Sequence, residues 1–422
     1  GRARSACRGP CSGAPRAPGG GPHIGPQRRG RARGGAVMTS SALIAHLMDP
    51  LIDPMLVDQD RGFERIFSWA PAPNDRDDPI SRDFVRGFKR AFVYALDWAG
   101  DKMMVSTREN PAMRLYDPEK EMEERSWAGE WMALQTDPNN PSVVAAISWG
   151  GKFRVFDTRS SEKYVFDVDL KRSASAMKEF LSLAWSPDSK HIALNNRADQ
   201  VYILNLQTAG SLKLGASKDM QIEVNQMVWG PEGETLWVAT GGIPGKIHVL
   251  PAPSLRTESS VAVVAHQQTS ISIAADPTGR HIATGGNDCL VTLWDPKHLI
   301  CTSSFGFATQ AVQSLSFSHD GNLLAWGTGG GGSTGGEKNV TIVGANTGVL
   351  YAQESTNAPA THVKWHPKRN ALAYAVNTSQ LPEDGVTERR ARNREVAVVH
   401  ILKMPDGSST PAGSAELRLT ER

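Results

Sequence analysis

Three side chains, His266, Thr284 and Asp288, have the types that hydrolytic chemistry uses, and Trp294 follows six residues on. A hydroxyl, an imidazole and a carboxylate in one neighbourhood can make an activated nucleophile, with the histidine as base and the aspartate orienting it. The same set can instead form a buried hydrogen-bond chain. Such a chain stiffens a sheet, because any member left unpaired would be costly to bury. An enzyme needs its reactive groups to converge on an accessible pocket, so the choice turns on the elements that carry them.

Three other groups invite a chemical reading. Arg389, Arg390, Arg392 and Arg394 form a compact basic run that could touch phosphates; Glu383, Asp384 and Glu388 dilute it, and a solvated basic loop is the alternative. The glycine-dominated stretch from Gly327 to Asn339 lacks the Gly-Lys-Ser/Thr ending of a phosphate-cradling loop. Cys7, Cys11, Cys289 and Cys301 have no metal-ligand spacing around them, so neither a disulfide nor a zinc site is expected, and no cofactor is implied.

Charge narrows the partners. The 422-residue chain has a formal net charge of +2, but its first 37 residues hold eight arginines and no acid. The remainder carries 38 Lys/Arg against 44 Asp/Glu, a mildly acidic body that argues against a broad phosphate-binding face. There is no uninterrupted apolar run of membrane-spanning length and no short apolar stretch of a secretory signal, so a reducing intracellular setting and no membrane partner are expected.

Residues 1–37, rich in Gly, Pro and Arg, have too little apolar surface to offset the entropy of ordering and read as a disordered tail. The first Met is Met38, so this tail reads as an upstream leader, with an RNA-binding arm or a transit peptide as alternatives. Residues 38–81 form an N-terminal extension in which apolar pairs recur every four positions from Leu43 until Pro50 and Pro54 interrupt them. It packs on the protein's own side or docks a partner. Residues 404–422 read as a flexible C-terminal tail.

The span 82–403 is a repeat. Trp98, Thr136, Trp185, Trp229, Ala275, Phe317 and Trp365 end the first strands of successive units, at intervals of 38, 49, 44, 46, 42 and 48 residues. Tight-turn chemistry follows five of them, as in Asp137-Pro138-Asn139 and Ser186-Pro187-Asp188, where proline presets the backbone angle of the turn. Third strands are predicted from Met113, Phe153, Val201, Ile247, Val291, Val340 and Val396. Twisted sheets in a row leave apolar faces wet unless the row closes on itself. The expected fold is therefore all-β, a seven-bladed WD-repeat β-propeller with a disordered N-terminal tail, its last blade completed by Arg82 to Phe88 beside Val396 to Ile401. Trp98, Trp185, Trp229, Trp294 and Trp365 fall on core positions, whereas Trp69 and Trp127 are expected at the surface. Inner strands offer mainly apolar, Ser and Ala side chains with an isolated Asp97, which speaks against an enzyme and a small-molecule substrate.

The unit holding His266, Thr284, Asp288 and Trp294-Asp295 resembles a complete WD repeat, and this resemblance implies the structural hydrogen-bond chain. The region from Glu223 to His400 further resembles the THO complex subunit 3 family. Glu223-Val224-Asn225-Gln226, Ala283-Thr284-Gly285 through Trp294-Asp295, Leu315 through Gly321, and Val363 through Arg369 carry the likeness. It implies a nuclear, non-enzymatic scaffold that docks on the larger THO subunits and RNA-export factors in coupling transcription to mRNA processing and export, with RNA contacted mainly through partners. A WD adaptor of a chromatin or ubiquitin-ligase assembly is the alternative.

Overall fold

The computed structural model describes residues 64–69, 93–107, 111–120, 122–160, 165–170, 179–207, 211–256, 258–329, 338–356, 358–377 and 397–403. The strands among the described residues all lie in the unit Asp58–Arg422, one of two into which the chain divides. Residues 1–37, nearly all of the 38–81 extension, the tail 404–422 and the basic run Arg389, Arg390, Arg392 and Arg394 lie outside the described residues.

The strands make seven four-stranded antiparallel sheets. Six are each built from four consecutive strands, and the last is composite: Ala360–Trp365, Ala371–Asn377 and Ala397–Lys403 are joined by Glu64–Trp69 from the other end of the chain. The first sheet runs Val93–Ala99, Lys102–Thr107, Ala112–Asp117, Met122–Ala128, and the others repeat this order. Each sheet begins on an inner strand: Val93–Ala99, Trp131–Thr136, Phe180–Trp185, Val224–Trp229, Ser270–Ala275, Val312–Phe317 and Ala360–Trp365. Each inner strand contacts the next, and the last contacts the first, so the row closes into a propeller.

The closing strand is a correction to the sequence reading. Arg82 to Phe88 was the expected outer strand; Glu64–Trp69 takes the place, pairing Phe67 with Ile401 and Trp69 with Val399, and 82–88 lies outside the described residues. The sequence Glu-Arg-Ile-Phe-Ser-Trp is a β-branched and aromatic run between Gly62 and Pro71, as suited to an edge strand as Arg82–Phe88, which is interrupted by Gly87. Nothing in the spacing separates the two; the pairing does.

The core lies between neighbouring sheets. One sheet's aromatic residues face the small residues of the next: Val93, Leu96, Trp98 and Met103 of the first pack on Ala371, Ala373 and Ala375 of the composite sheet. Trp127, expected at the surface, is 4 % exposed. Its outer strand places it against Phe156 of the second sheet, 5.4 Å between ring centroids, under the Arg125 guanidinium. Alternation along an edge strand buries every second side chain against the neighbouring sheet, which is why an outer position does not mean an exposed one.

Candidate functional site

His266 lies at the end of the outer strand Val261–His266 and reaches across to the next sheet. Its Nδ1 is 3.0 Å from Asp288 Oδ1 and its Nε2 is 2.9 Å from Thr284 Oγ1. Thr284 Oγ1 is 2.7 Å from Thr292 Oγ1, to which the Trp294 indole N–H donates at 3.0 Å. Burial drives the His266 imidazole below its ordinary pKa, against the opposing pull of Asp288, and so favours the neutral ring. With Nδ1–H on the carboxylate, the protons run in one direction, from Trp294 through Thr292 and Thr284 to Nε2.

The four sequence-predicted residues thus come together, with Thr292 as an unforeseen fifth. Strand alternation was the signal for it, since Thr292 and Trp294 share a face. The hydroxyl that would be the nucleophile is fully buried beside an indole, so no substrate atom can approach it. Gly286 shows how tightly the chain is enclosed: a Cβ there would lie 2.4 Å from Asp288 Oδ1 and 2.5 Å from His266 Nδ1.

The ring surrounds a channel of about 790 Å³, within the ~300–1,000 Å³ typical of ligand sites. In every sheet the register between the first and second strands slips one residue after the inner strand begins. The residues at these bulges are Tyr94, Met132, Leu181, Asn225, Ile271, Gln313 and Thr361, and all seven line the channel. A bulge re-aims a side chain, and here it turns one residue per sheet inward. Sequence alternation alone could not show this, because the slip moves the pattern by one.

Further along the inner strands, polar side chains reach to the next sheet. The Thr136 backbone N–H donates to Asp97 Oδ2 at 2.8 Å, the Trp185 N–H to Gln135 Oε1 at 2.9 Å, and the Ile273 N–H to Gln226 Oε1 at 3.0 Å. Val363 and Trp365 donate to Ser314 Oγ and Ser316 Oγ at 3.1 and 3.0 Å. Inner strands have no partner strand on the channel side, so their channel-side N–H groups need such acceptors. These five polar side chains, Asp97 included, are occupied in joining sheets.

The seam between the composite and first sheets closes the ring. Trp98 donates its indole N–H to the Lys364 carbonyl at 3.0 Å and meets the His366 ring edge-on at 4.7 Å. On the rim beside it, Arg369 pairs with Asp101 at 2.8 Å and with Glu119 at 3.2 Å. The exposed rim elsewhere offers turns and isolated apolar residues, of which Ile243 is the most exposed at 84 %. Cys289 and Cys301 are free thiols. Among the described residues no group of three His, Cys, Asp or Glu side chains is placed to hold a metal ion, and no helix is long and apolar enough to cross a membrane.

Comparison with known proteins matches this architecture. The WD domain, G-beta repeat family matches residues 258–295, the stretch that contains the His266 chain. THO complex subunit 3 from Arabidopsis thaliana is 31 % identical over 239 residues, 57 % of this chain and 69 % of that protein. WD repeat-containing protein AAC3 from Dictyostelium discoideum is 27 % identical over 42 % of this chain and 38 % of its own length. Cell division cycle 20.1, cofactor of APC complex, from Arabidopsis thaliana is 26 % identical over 56 % of this chain and 53 % of its own. Among solved structures, the β-propeller domain of Cps50 (Swd1) from Myceliophteria thermophila superposes with a TM-score of 0.56 at 14 % identity, covering 72 % of this chain and 95 % of that one, a likeness of fold alone. A WD propeller with this degree of identity across more than two thirds of the Arabidopsis protein belongs to the THO complex subunit 3 family.

Proposed function

We propose that this chain is a non-enzymatic scaffold subunit of a nuclear THO/transcription-export complex, coupling transcription to mRNA processing and export. Its partners on this reading are the larger THO subunits and RNA-export factors, with RNA contacted mainly through them. The observation that carries the scaffold role is the fate of five polar side chains of the channel: Asp97, Gln135, Gln226, Ser314 and Ser316 are bonded to the next sheet's backbone. Groups held that way are not free to transfer protons or attack a substrate. The family likeness supports the choice of complex.

A tagged full-length chain, expressed in cells and purified from nuclei, tests the reading. THO subunits recovered with it support the proposal. The relative named as a cofactor of the APC complex favours a second reading, an adaptor of another assembly such as a ubiquitin ligase. Recovery of such an assembly without THO subunits would replace the first reading with that one.

A further inference from the structure

One inner-strand position carries a cation, unlike its six counterparts. The equivalent positions, all lining the channel, are Asp97, Gln135, Ala184, Val228, Ala274, Ser316 and Lys364. Asp97, Gln135 and Ser316 accept an N–H from the following sheet. Lys364 cannot, because an ammonium only donates. The ring therefore closes with a cation where these seams hold an acceptor.

Lys364 lines the channel, and among the described residues its ammonium makes no ion pair and no side-chain hydrogen bond. Asp97, the sole inner-strand carboxylate, is engaged by Thr136. Two residues back, burial first and Lys364 second hold the His362 imidazole down to about 4, so His362 adds no positive charge beside Lys364 near neutrality. A half-buried cation in low dielectric attracts an anion far more strongly than a surface lysine does. Three of the seven bulge residues, Met132, Leu181 and Ile271, present apolar surface to the same channel.

We propose that the channel is a docking site for an extended acidic segment of a partner protein. A carboxylate of that segment pairs with Lys364, and an apolar side chain rests on Met132, Leu181 and Ile271. The bulge level and the Lys364 level are three residues apart along the inner strand, or ~10 Å at ~3.3 Å per residue. An extended guest reaches both with an acidic and an apolar residue spaced three apart. A free inorganic anion would leave the apolar surface unused. Nucleic acid would bring many phosphates to a channel whose inner strands hold one lysine, in a body that is otherwise mildly acidic.

The assignment does not depend on which complex the protein enters. The probe is a random heptapeptide library displayed on phage and selected on immobilised full-length protein, in parallel with Lys364→Ser. That variant installs the side chain that Ser316 already uses at the preceding seam, so it is expected to fold with an unchanged or higher Tm. The wild type should enrich peptides with Asp or Glu three positions from Leu, Ile, Met or Phe. Synthetic copies should bind Lys364→Ser at least about tenfold more weakly, about 1.4 kcal/mol. Lys297→Ser, on an exposed turn away from the channel, should leave the selection unchanged. Enrichment without an acidic position, or the same enrichment on Lys364→Ser, would overturn the proposal. So would a failure to enrich any peptide, and inorganic phosphate then raising the Tm of the wild type but not of Lys364→Ser would reassign the site to a free anion.

Discussion

The Trp98 indole N–H meets the backbone carbonyl of Lys364 at 3.0 Å, joining the first sheet to the last across 266 residues of chain. Trp185 and Trp229 make the equivalent bond to the preceding sheet, to the carbonyls of Gln135 and Ala184 at 3.0 and 2.9 Å. The closing seam thus uses the same aromatic lock as seams between consecutive sheets. Its distinctive parts are the borrowed strand Glu64–Trp69 and the lysine that stands where an acceptor would.

The borrowed strand gives the first prediction. A chain beginning at Arg61 keeps Glu64–Trp69, and one beginning at Pro71 leaves the edge of Ala397–Lys403 unpaired. An uncovered edge is a template for association with other chains. The shorter chain is expected to melt at a lower temperature and to aggregate on gel filtration, while the longer one remains monodisperse. Equal melting temperatures would remove the strand from its closing role.

A second prediction concerns the acceptors between sheets. Gln135→Leu removes the partner of the Trp185 N–H while preserving bulk. Leaving that amide unsatisfied costs about 1–3 kcal/mol, read as a lower urea midpoint. Gln135→Glu, which retains an acceptor oxygen, should recover part of the loss.

The His266 chain gives the third. Thr292→Val deletes the hydroxyl that bridges Trp294 and Thr284, leaving their direct bond at 3.3 Å, and should cost about 1–3 kcal/mol. Gly286→Ala pushes a methyl group into His266 and Asp288 and is expected to abolish soluble expression. If it expressed and melted like the wild type, the enclosure of this chain would be disproved.

Much of this was legible in advance, and the limits are physical. Six of the seven first-strand ends, from Thr136 to Trp365, are strand termini as read, and the first strand runs one residue past Trp98 to Ala99; a buried aromatic or a turn residue beside each marks it locally. His266, Thr284, Asp288 and Trp294 were legible because their spacing spans one sheet. Trp127 was misread because burial of an outer strand depends on the neighbouring sheet, which lies far away in sequence. The channel-lining bulges and the Gln135 and Gln226 bonds depend on register and on contacts between sheets, which no local spacing encodes.

Protonation gives the fourth prediction. Burial holds His362 to about 4, below its ordinary value of 6.5, and lowers His266, His366 and His248 in the same direction. Between those two values the unfolded chain binds protons that the folded chain refuses, so stability falls as pH falls through that window and levels off below it. The depressed carboxylates, Asp188 and Asp320 among them, lose their contribution only below their ordinary 3.8. The melting temperature should therefore drop between about pH 7 and pH 4.5. His362→Ser, matching Ser314 of the preceding sheet, should flatten that slope. An unchanged slope would remove His362 as its source.

The most direct test of the scaffold role is reconstitution. Purified full-length chain, mixed with purified larger THO subunits, should co-elute with them on gel filtration in fixed stoichiometry, and the assembly should persist at physiological salt. Elution of the chain as a free monomer beside those subunits, under conditions in which it remains folded, would contradict the proposal.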